Sequence, residues 1–221
     1  MINVAIDGPA GAGKSTISRR AAMQLGYIYI DTGALYRTVG LNALRKGVDI
    51  NSPEEIASTL TDDLKVELRF ADGEQRMFLN GEDVSDKIRT PEASMAASKV
   101  SAVPAVREYL FDLQKKLAAE NNCIMDGRDI GTVVLPDAKV KIFLTASPEA
   151  RAERRYNELI EKGMDVKFDD VLADMKQRDY NDSHRAIAPL KPADDAILLD
   201  TSGNELETSV ELVIKTIKDN I

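Results

Sequence analysis

Gly8-Pro9-Ala10-Gly11-Ala12-Gly13-Lys14-Ser15, continuing into Thr16, is the stretch whose reading decides the fold of this chain. It fits the pattern G-x-x-x-x-G-K-[ST], and its flanks supply the context that gives the pattern a mechanism. The apolar run Ile2–Ile6 before it reads as a buried strand, and Ser15–Leu25 after it has helical spacing. A glycine-rich turn between strand and helix aims successive backbone N–H groups at one point, and the helix N-terminus adds partial positive charge there. Gly8 to Thr16 are therefore expected to hold the phosphates of a nucleoside triphosphate. In that arrangement Lys14 reaches the β- and γ-phosphates and the Ser15 hydroxyl ligates Mg²⁺. What receives the phosphate is decided by the rest of the chain.

Outward from this loop, strand-like and helical patterns alternate. Buried-strand runs recur at Tyr27–Ile30, Cys123–Met125, Val140–Leu144 and Ala196–Leu199. Helical patterns separate them at Ala34–Lys46, Val103–Glu120, Pro148–Glu161 and Glu205–Ile221. This predicts an α/β fold of P-loop NTPase type, with a parallel sheet of about five strands flanked by helices. Ligands of such sheets bind at the carboxyl ends of the strands. Those ends carry Asp7-Gly8, Asp31-Thr32, Asp126-Gly127-Arg128-Asp129, Thr145 and Asp200-Thr201. Two stretches break the alternation. Leu64–Val84 turns strand-like, with Asp72-Gly73 and Asn80-Gly81 as hairpin signals, and predicts a small antiparallel insert between the second and third core strands. Arg151–Lys191 is rich in arginine and ends at the breaker Pro189-Leu190-Lys191-Pro192. The expected organisation is a single unit. Its core spans 1–35, 105–150 and 192–221, a region with the β-hairpin insert spans 36–104, and a helical lid spans 151–191.

The composition narrows the setting. The chain has 221 residues and a formal net charge of −8, which argues against a general binder of nucleic-acid polymers or anionic membranes. Basic residues must then be concentrated where an anionic substrate sits. One cysteine, Cys123, excludes an intrachain disulfide and a cysteine-rich zinc site, and reads as a small apolar residue of a buried strand. No run approaches membrane-spanning length, and a cytoplasmic, reducing location is expected. His184, the sole histidine, reads as a lid surface residue, and the pairs Asp62-Asp63, Asp169-Asp170 and Asp194-Asp195 as caps or solvated faces.

The arginines carry the next step. Ser147-Pro148-Glu149 reads as a helix start, with Ser147 at the N-cap. Arg151, Arg154 and Arg155 then fall at i, i+3 and i+4 on one face, and a second helix is expected to end near Gln177-Arg178-Asp179, followed by Asp182 and Arg185. Such residues suit either a solvated face laced with ion pairs or the stabilisation of a transferring phosphoryl group, whose charge spreads over its equatorial oxygens.

Three blocks together are more specific than the loop alone. Asp31-Thr32-Gly33-Ala34-Leu35-Tyr36-Arg37, then Asp126-Gly127-Arg128-Asp129-Ile130-Gly131-Thr132, then Arg178-Asp179 through Arg185-Ala186, resemble the bacterial cytidylate kinase family over essentially the whole chain. Gly81–Arg89 is similar to that family as well. The resemblance implies a nucleoside monophosphate kinase, with phosphoryl transfer from ATP to CMP or dCMP and Mg²⁺ as cofactor. It implies that Asp129 accepts from the cytosine amino group and that Arg107 faces N3 and O2, with Ser98 and Thr32 as supporting hydroxyls. Thr32 stands where a serine is often found. For the acceptor phosphate the expected ligands are Arg37, Arg128 and Arg178, with Arg89. Asp182 and Arg178 are placed toward the sugar, and Arg185 between the two phosphate chains. Lys14, Arg128, Arg155, Arg178 and Arg185 are the expected catalytic cations. Asp126 is expected to orient the Mg²⁺ shell. Tyr36 reads equally as an aid to the nucleotide and as a core-edge tyrosine. No general base is expected, because the attacking oxygen is already a phosphate oxyanion. Partners are limited to ATP and CMP or dCMP, on a monomer. The alternatives are a P-loop kinase with UMP or AMP as acceptor, and a nucleotide-dependent regulatory module. An arginine lid and an acceptor site are features that a simple switch does not need.

Overall fold

The computed structural model describes every residue except Asp72 and Gly73, and the backbone alone at Glu74. The turn expected at Asp72-Gly73 lies outside the described residues. Along the chain run β1 (Asn3–Asp7), α1 (Lys14–Leu25), β2 (Ile28–Asp31), α2 (Thr32–Lys46) and α3 (Pro53–Ser58). There follow β3 (Val66–Ala71), β4 (Glu74–Leu79), β5 (Glu82–Asp83), α4 (Pro91–Val100) and α5 (Pro104–Glu120). The last third holds β6 (Cys123–Gly127), a π-helical turn (Ile130–Val134), β7 (Val140–Thr145), α6 (Pro148–Glu161), α7 (Phe168–His184), β8 (Ile197–Asp200) and α8 (Leu206–Asp219). The chain divides into two compact units, 1–29 with 121–221, and 30–120. The stretch expected as a lid belongs to the first, the P-loop unit, and the region with the insert belongs to the second.

The five-stranded sheet has the order β2-β6-β1-β7-β8, with β1 parallel to both β6 and β7. β1 is apolar and fully buried from Val4 to Ile6, as a strand covered on both faces must be. Helix α8 shows why helices cover that sheet: Val210, Val213, Ile214 and Ile217 recur at helical spacing and pack in one cluster with Ile17 and Ala21 of α1. Each such side chain contributes roughly 1.5–3 kcal/mol by leaving water. Ser147 caps α6 by accepting from the Ala150 N–H at 3.2 Å, with Pro148 in the first turn. Helix α7 runs on to His184, six residues beyond the expected end, because Tyr180–His184 contains no breaker. The chain turns back only after Arg185, where the Leu190 N–H donates to the Asp182 carbonyl at 2.8 Å.

The second unit is built on α2, whose N-cap Asp31 accepts from the Ala34 N–H at 3.0 Å. Its core joins Leu35 and Val39 of α2 with Ile56, Met77 and Leu110. The antiparallel sheet β3-β4-β5 supplies Met77 and Leu79 to that core, and Asn80-Gly81 joins β4 to β5 with both residues at positive φ, 51° and 85°. The insert thus has three strands, one more than a simple hairpin. Helices α3 and α4 have no counterpart in the sequence reading; both are short and begin at a Ser/Thr-Pro cap, Ser52-Pro53 and Thr90-Pro91.

Candidate active site

In the P-loop unit the strand ends gather charge. Gly8 has φ +149°, and a Cβ there would lie 1.9 Å from the Leu144 carbonyl oxygen, so no other residue fits where β7 backs the loop. Lys14 is buried, and its Nζ donates to the Pro9 carbonyl oxygen at 2.7 Å. Burial, reinforced by the Arg128 guanidinium, pulls its ammonium below the ordinary lysine range, against the opposing pull of Asp126, Asp7 and Asp182. Ser15 Oγ donates to Asp126 Oδ2 at 2.9 Å, and the Tyr29 hydroxyl donates to the same oxygen at 3.2 Å. This is an all-oxygen set, of the kind a hard divalent cation takes. Among the described residues no group of three or more His, Cys, Asp or Glu side chains could hold a metal ion.

The loop after β6 is held from below by Asp7. Its two carboxylate oxygens accept from the Ile130 N–H at 2.8 Å and the Gly131 N–H at 2.7 Å. Burial pushes its carboxyl up to about 6, with the two N–H donors working against that shift. Above this anchor, Arg128 Nε donates to Asp182 Oδ2 at 2.9 Å, and Arg185 Nη2 donates to Asp129 Oδ1 at 3.3 Å. Asp129 and Asp182 are both buried. Arg178 is half-buried on α7.

The three arginines of α6 part company. Arg151 is buried against Asp179 and the Ala10 and Ala146 carbonyls. Arg154 donates to the Thr201 carbonyl at 2.8 Å. Arg155 points to Glu158, on the surface of its own helix, and is not brought to the charged cluster.

In the second unit, Thr32 opens α2 and is buried, and Tyr36 lies in the hydrophobic core with the Arg107 guanidinium 6.0 Å from its ring centre. Arg37 Nη2 donates to Asp31 Oδ2 at 2.7 Å, while its Nε is buried without an acceptor among the described residues. Asp31 is itself clamped by the insert: Gln75 Oε1 accepts from the Asp31 N–H at 2.8 Å and Gln75 Nε2 donates to its carbonyl at 3.3 Å. Ser98 is half-buried on α4, and Arg89 is exposed in the turn before it.

Asp7, Asp31, Gln75, Arg151 and Asp179 were not among the expected site residues. The two aspartates gave a signal, since each ends an apolar strand where a charge has no packing role. Arg151 and Asp179 gave a signal only as members of an arginine-rich face and of the Arg178-Asp179 block, and Gln75 gave none, because their partners are distant in sequence.

A family model described as cytidylate kinase matches residues 4–219. A cytidylate kinase of Caldicellulosiruptor bescii is 50% identical over 224 residues, covering 100% of this chain and 99% of that protein. One from Caldicellulosiruptor saccharolyticus is 51% identical over 214 residues, covering 97% and 94%. Among solved structures, a gluconokinase from Sinorhizobium meliloti aligns with a TM-score of 0.50 at 14% identity, over 99% of this chain and 92% of that one. That likeness concerns the fold.

Proposed function

This chain belongs to the cytidylate kinase family, and from that premise we infer that it transfers the γ-phosphoryl group of ATP to CMP or dCMP, giving ADP and CDP or dCDP. The observation that carries the residue assignment is the charged cluster of the P-loop unit, where Lys14, Ser15–Asp126, Arg128 and Asp129 stand after β1 and β6 and α7 brings Asp182 and Arg185 to pair with the last two.

Gly8 to Thr16 hold the ATP phosphates. Lys14 neutralises the β- and γ-phosphates, and its depressed ammonium regains full charge beside them. Ser15, with Asp126 behind it, would hold Mg²⁺, which would supply charge neutralisation on the donor phosphates. An oxygen of the acceptor phosphate attacks the γ-phosphorus while the bond to the ADP oxygen breaks. No proton has to leave the attacking oxygen, so catalysis rests on alignment, charge neutralisation and exclusion of water. Arg37, Arg128 and Arg178 hold the acceptor phosphate, with Arg89. The unspent Nε of Arg37 supports this role, because a planar fork with a buried unpaired donor suits an oxyanion. Arg185 adds positive charge to the transferring group, whereas Arg155, turned to Glu158 on the surface of α6, takes no part.

Asp129 accepts from the cytosine 4-amino group and Arg107 donates to N3 and O2, with Ser98 and Thr32 supporting. Uracil presents a carbonyl at the 4-position and an N–H at N3, so those two contacts turn repulsive while the one to O2 is unchanged. Asp182 binds the sugar, and the Tyr36 hydroxyl supports the nucleotide, with the Arg107 guanidinium 6.0 Å from its ring centre. The division into core, 36–104 acceptor region and 151–191 lid belongs to the same proposal. So does action as a cytoplasmic monomer, a location with which the lone buried thiol of Cys123 agrees. No helix of the described residues is long and apolar enough to cross a membrane.

The test is ADP formation from ATP with CMP, dCMP, UMP and AMP as acceptors. CMP and dCMP are expected to lead; faster turnover of UMP or AMP would overturn the assignment.

A further inference from the structure

Arg151 is the one arginine of α6 that the fold buries, at 3% exposure. Its guanidinium is spent on protein oxygens. Nε donates to the Ala146 carbonyl at 2.9 Å, Nη1 donates to the Ala10 carbonyl at 2.9 Å and to Asp179 Oδ1 at 3.0 Å, and Nη2 donates to Asp179 Oδ2 at 2.5 Å. These acceptors belong to three separate segments: the P-loop, the turn between β7 and α6, and helix α7. The loop also rests against both helices, since a Cβ on Gly11 would meet Met175 Cε at 3.0 Å and Arg151 Cβ at 3.3 Å. Asp179 follows Arg178 directly and precedes Asp182, the partner of Arg128, by three residues on the same helix.

We propose that Arg151 is a positioning residue for phosphoryl transfer: with Asp179 it locks the rotation and height of α7 against the P-loop, and so sets where Arg178 stands relative to the ATP phosphates. The geometry demands arginine. A planar fork grips a carboxylate with two parallel N–H bonds and still reaches two carbonyls, whereas a lysine ammonium is a point donor that cannot hold the helix against rotation. Displacing a catalytic group by about 1 Å costs on the order of 10²-fold in rate, so a lock of this kind has a kinetic consequence without touching substrate. The inference rests on the phosphate role proposed above for Arg178.

The experiment is a double-mutant cycle on the full-length protein, with kcat and both KM values measured for wild type, Arg151→Lys, Arg178→Ala and the double variant. Arg151→Lys is expected to lower kcat about tenfold or more with a smaller change in the KM for ATP. In the Arg178→Ala background the same substitution is expected to cost less than about twofold, because the group it positions is gone. Equal losses in both backgrounds, or an unchanged kcat in Arg151→Lys, would overturn the proposal while leaving Arg178 in place. Wild-type kcat in Arg178→Ala alone would instead remove Arg178 from catalysis, and the coupling with it. Should Arg151→Lys not fold, Asp179→Asn keeps the two carbonyl contacts and weakens only the grip on α7. The same non-additivity with Arg178→Ala is then required.

Discussion

The two units bury different things. In the P-loop unit Asp7, Lys14, Asp126, Asp129, Arg151 and Asp182 are all buried, whereas among the described residues of the second unit the buried polar side chains are neutral: Thr32, Thr38, Asn42, Thr59, Ser85, Ser101 and Gln114. Taking an ion out of water costs several kcal/mol even after relaxation, so charges are buried only where partners or function compensate. The P-loop unit supplies partners throughout: backbone N–H groups for Asp7, Asp179 for Arg151, Arg128 for Asp182 and Arg185 for Asp129. The second unit keeps Arg37 and Arg107 half-exposed on an apolar body and steers Arg37 from outside through Asp31 and Gln75. One unit is preorganised by paired charge, the other by a hydrophobic frame.

That contrast can be broken most directly at Lys14. Lys14→Ala is expected to lower kcat by about 10²–10³-fold. Its thermal midpoint should hold or rise, since a desolvated ammonium is removed; steady-state kinetics with near-normal kcat would strip Lys14 of its role.

The units should also answer pH in opposite directions. The folded P-loop unit holds the Asp7 proton up to about pH 6, whereas the unfolded chain releases it near 3.8. The folded state therefore binds more protons across that window, and stability falls as pH rises from about 4 to 6, by about 3 kcal/mol. In the second unit the side chains of Arg45 and Lys87 hold Glu82 at about 2, and Ser85 with Arg76 holds Asp83 at about 2. Stability there is present above the ordinary carboxylate range and is lost as pH falls from about 4 toward 2. Hydrogen exchange at Ile130 and Gly131, compared with β3 and β4, measures both; protection at Ile130 that grows from pH 4 to 6 would remove Asp7 as the source.

A smaller effect is expected on selectivity. Asp129→Ala should narrow the CMP-to-UMP ratio of kcat/KM by about tenfold or more, because a carboxylate that welcomes an amino group and repels a carbonyl is lost. An unchanged ratio would take Asp129 out of base recognition. The smallest effect is reserved for the frame of the second unit. Gln75→Ala should raise the KM for CMP by a few-fold, about 1 kcal/mol for the lost Asp31 contacts, and leave the KM for ATP alone. A change in the ATP constant instead would place the insert on the donor side.

The P-loop, the strand-helix alternation, the Ser147-Pro148 helix start and the Asn80-Gly81 turn are legible in the chain alone. Each is written in residues that are neighbours in the chain or repeat at the period of one element, so local sterics and capping suffice to read it. The same local grammar put Arg151, Arg154 and Arg155 on one helical face, and there it stopped. Which of them is buried depends on what packs against that face: Ala10 lies 141 positions from Arg151, and Asp179 lies 28 away. The Ser15–Asp126 pair and the Asp7 anchor under Gly131 span 111 and 124 positions. Tertiary structure alone decided these contacts, because desolvation and charge pairing act on whatever the folded chain brings within a few ångströms, and chain order does not encode that distance.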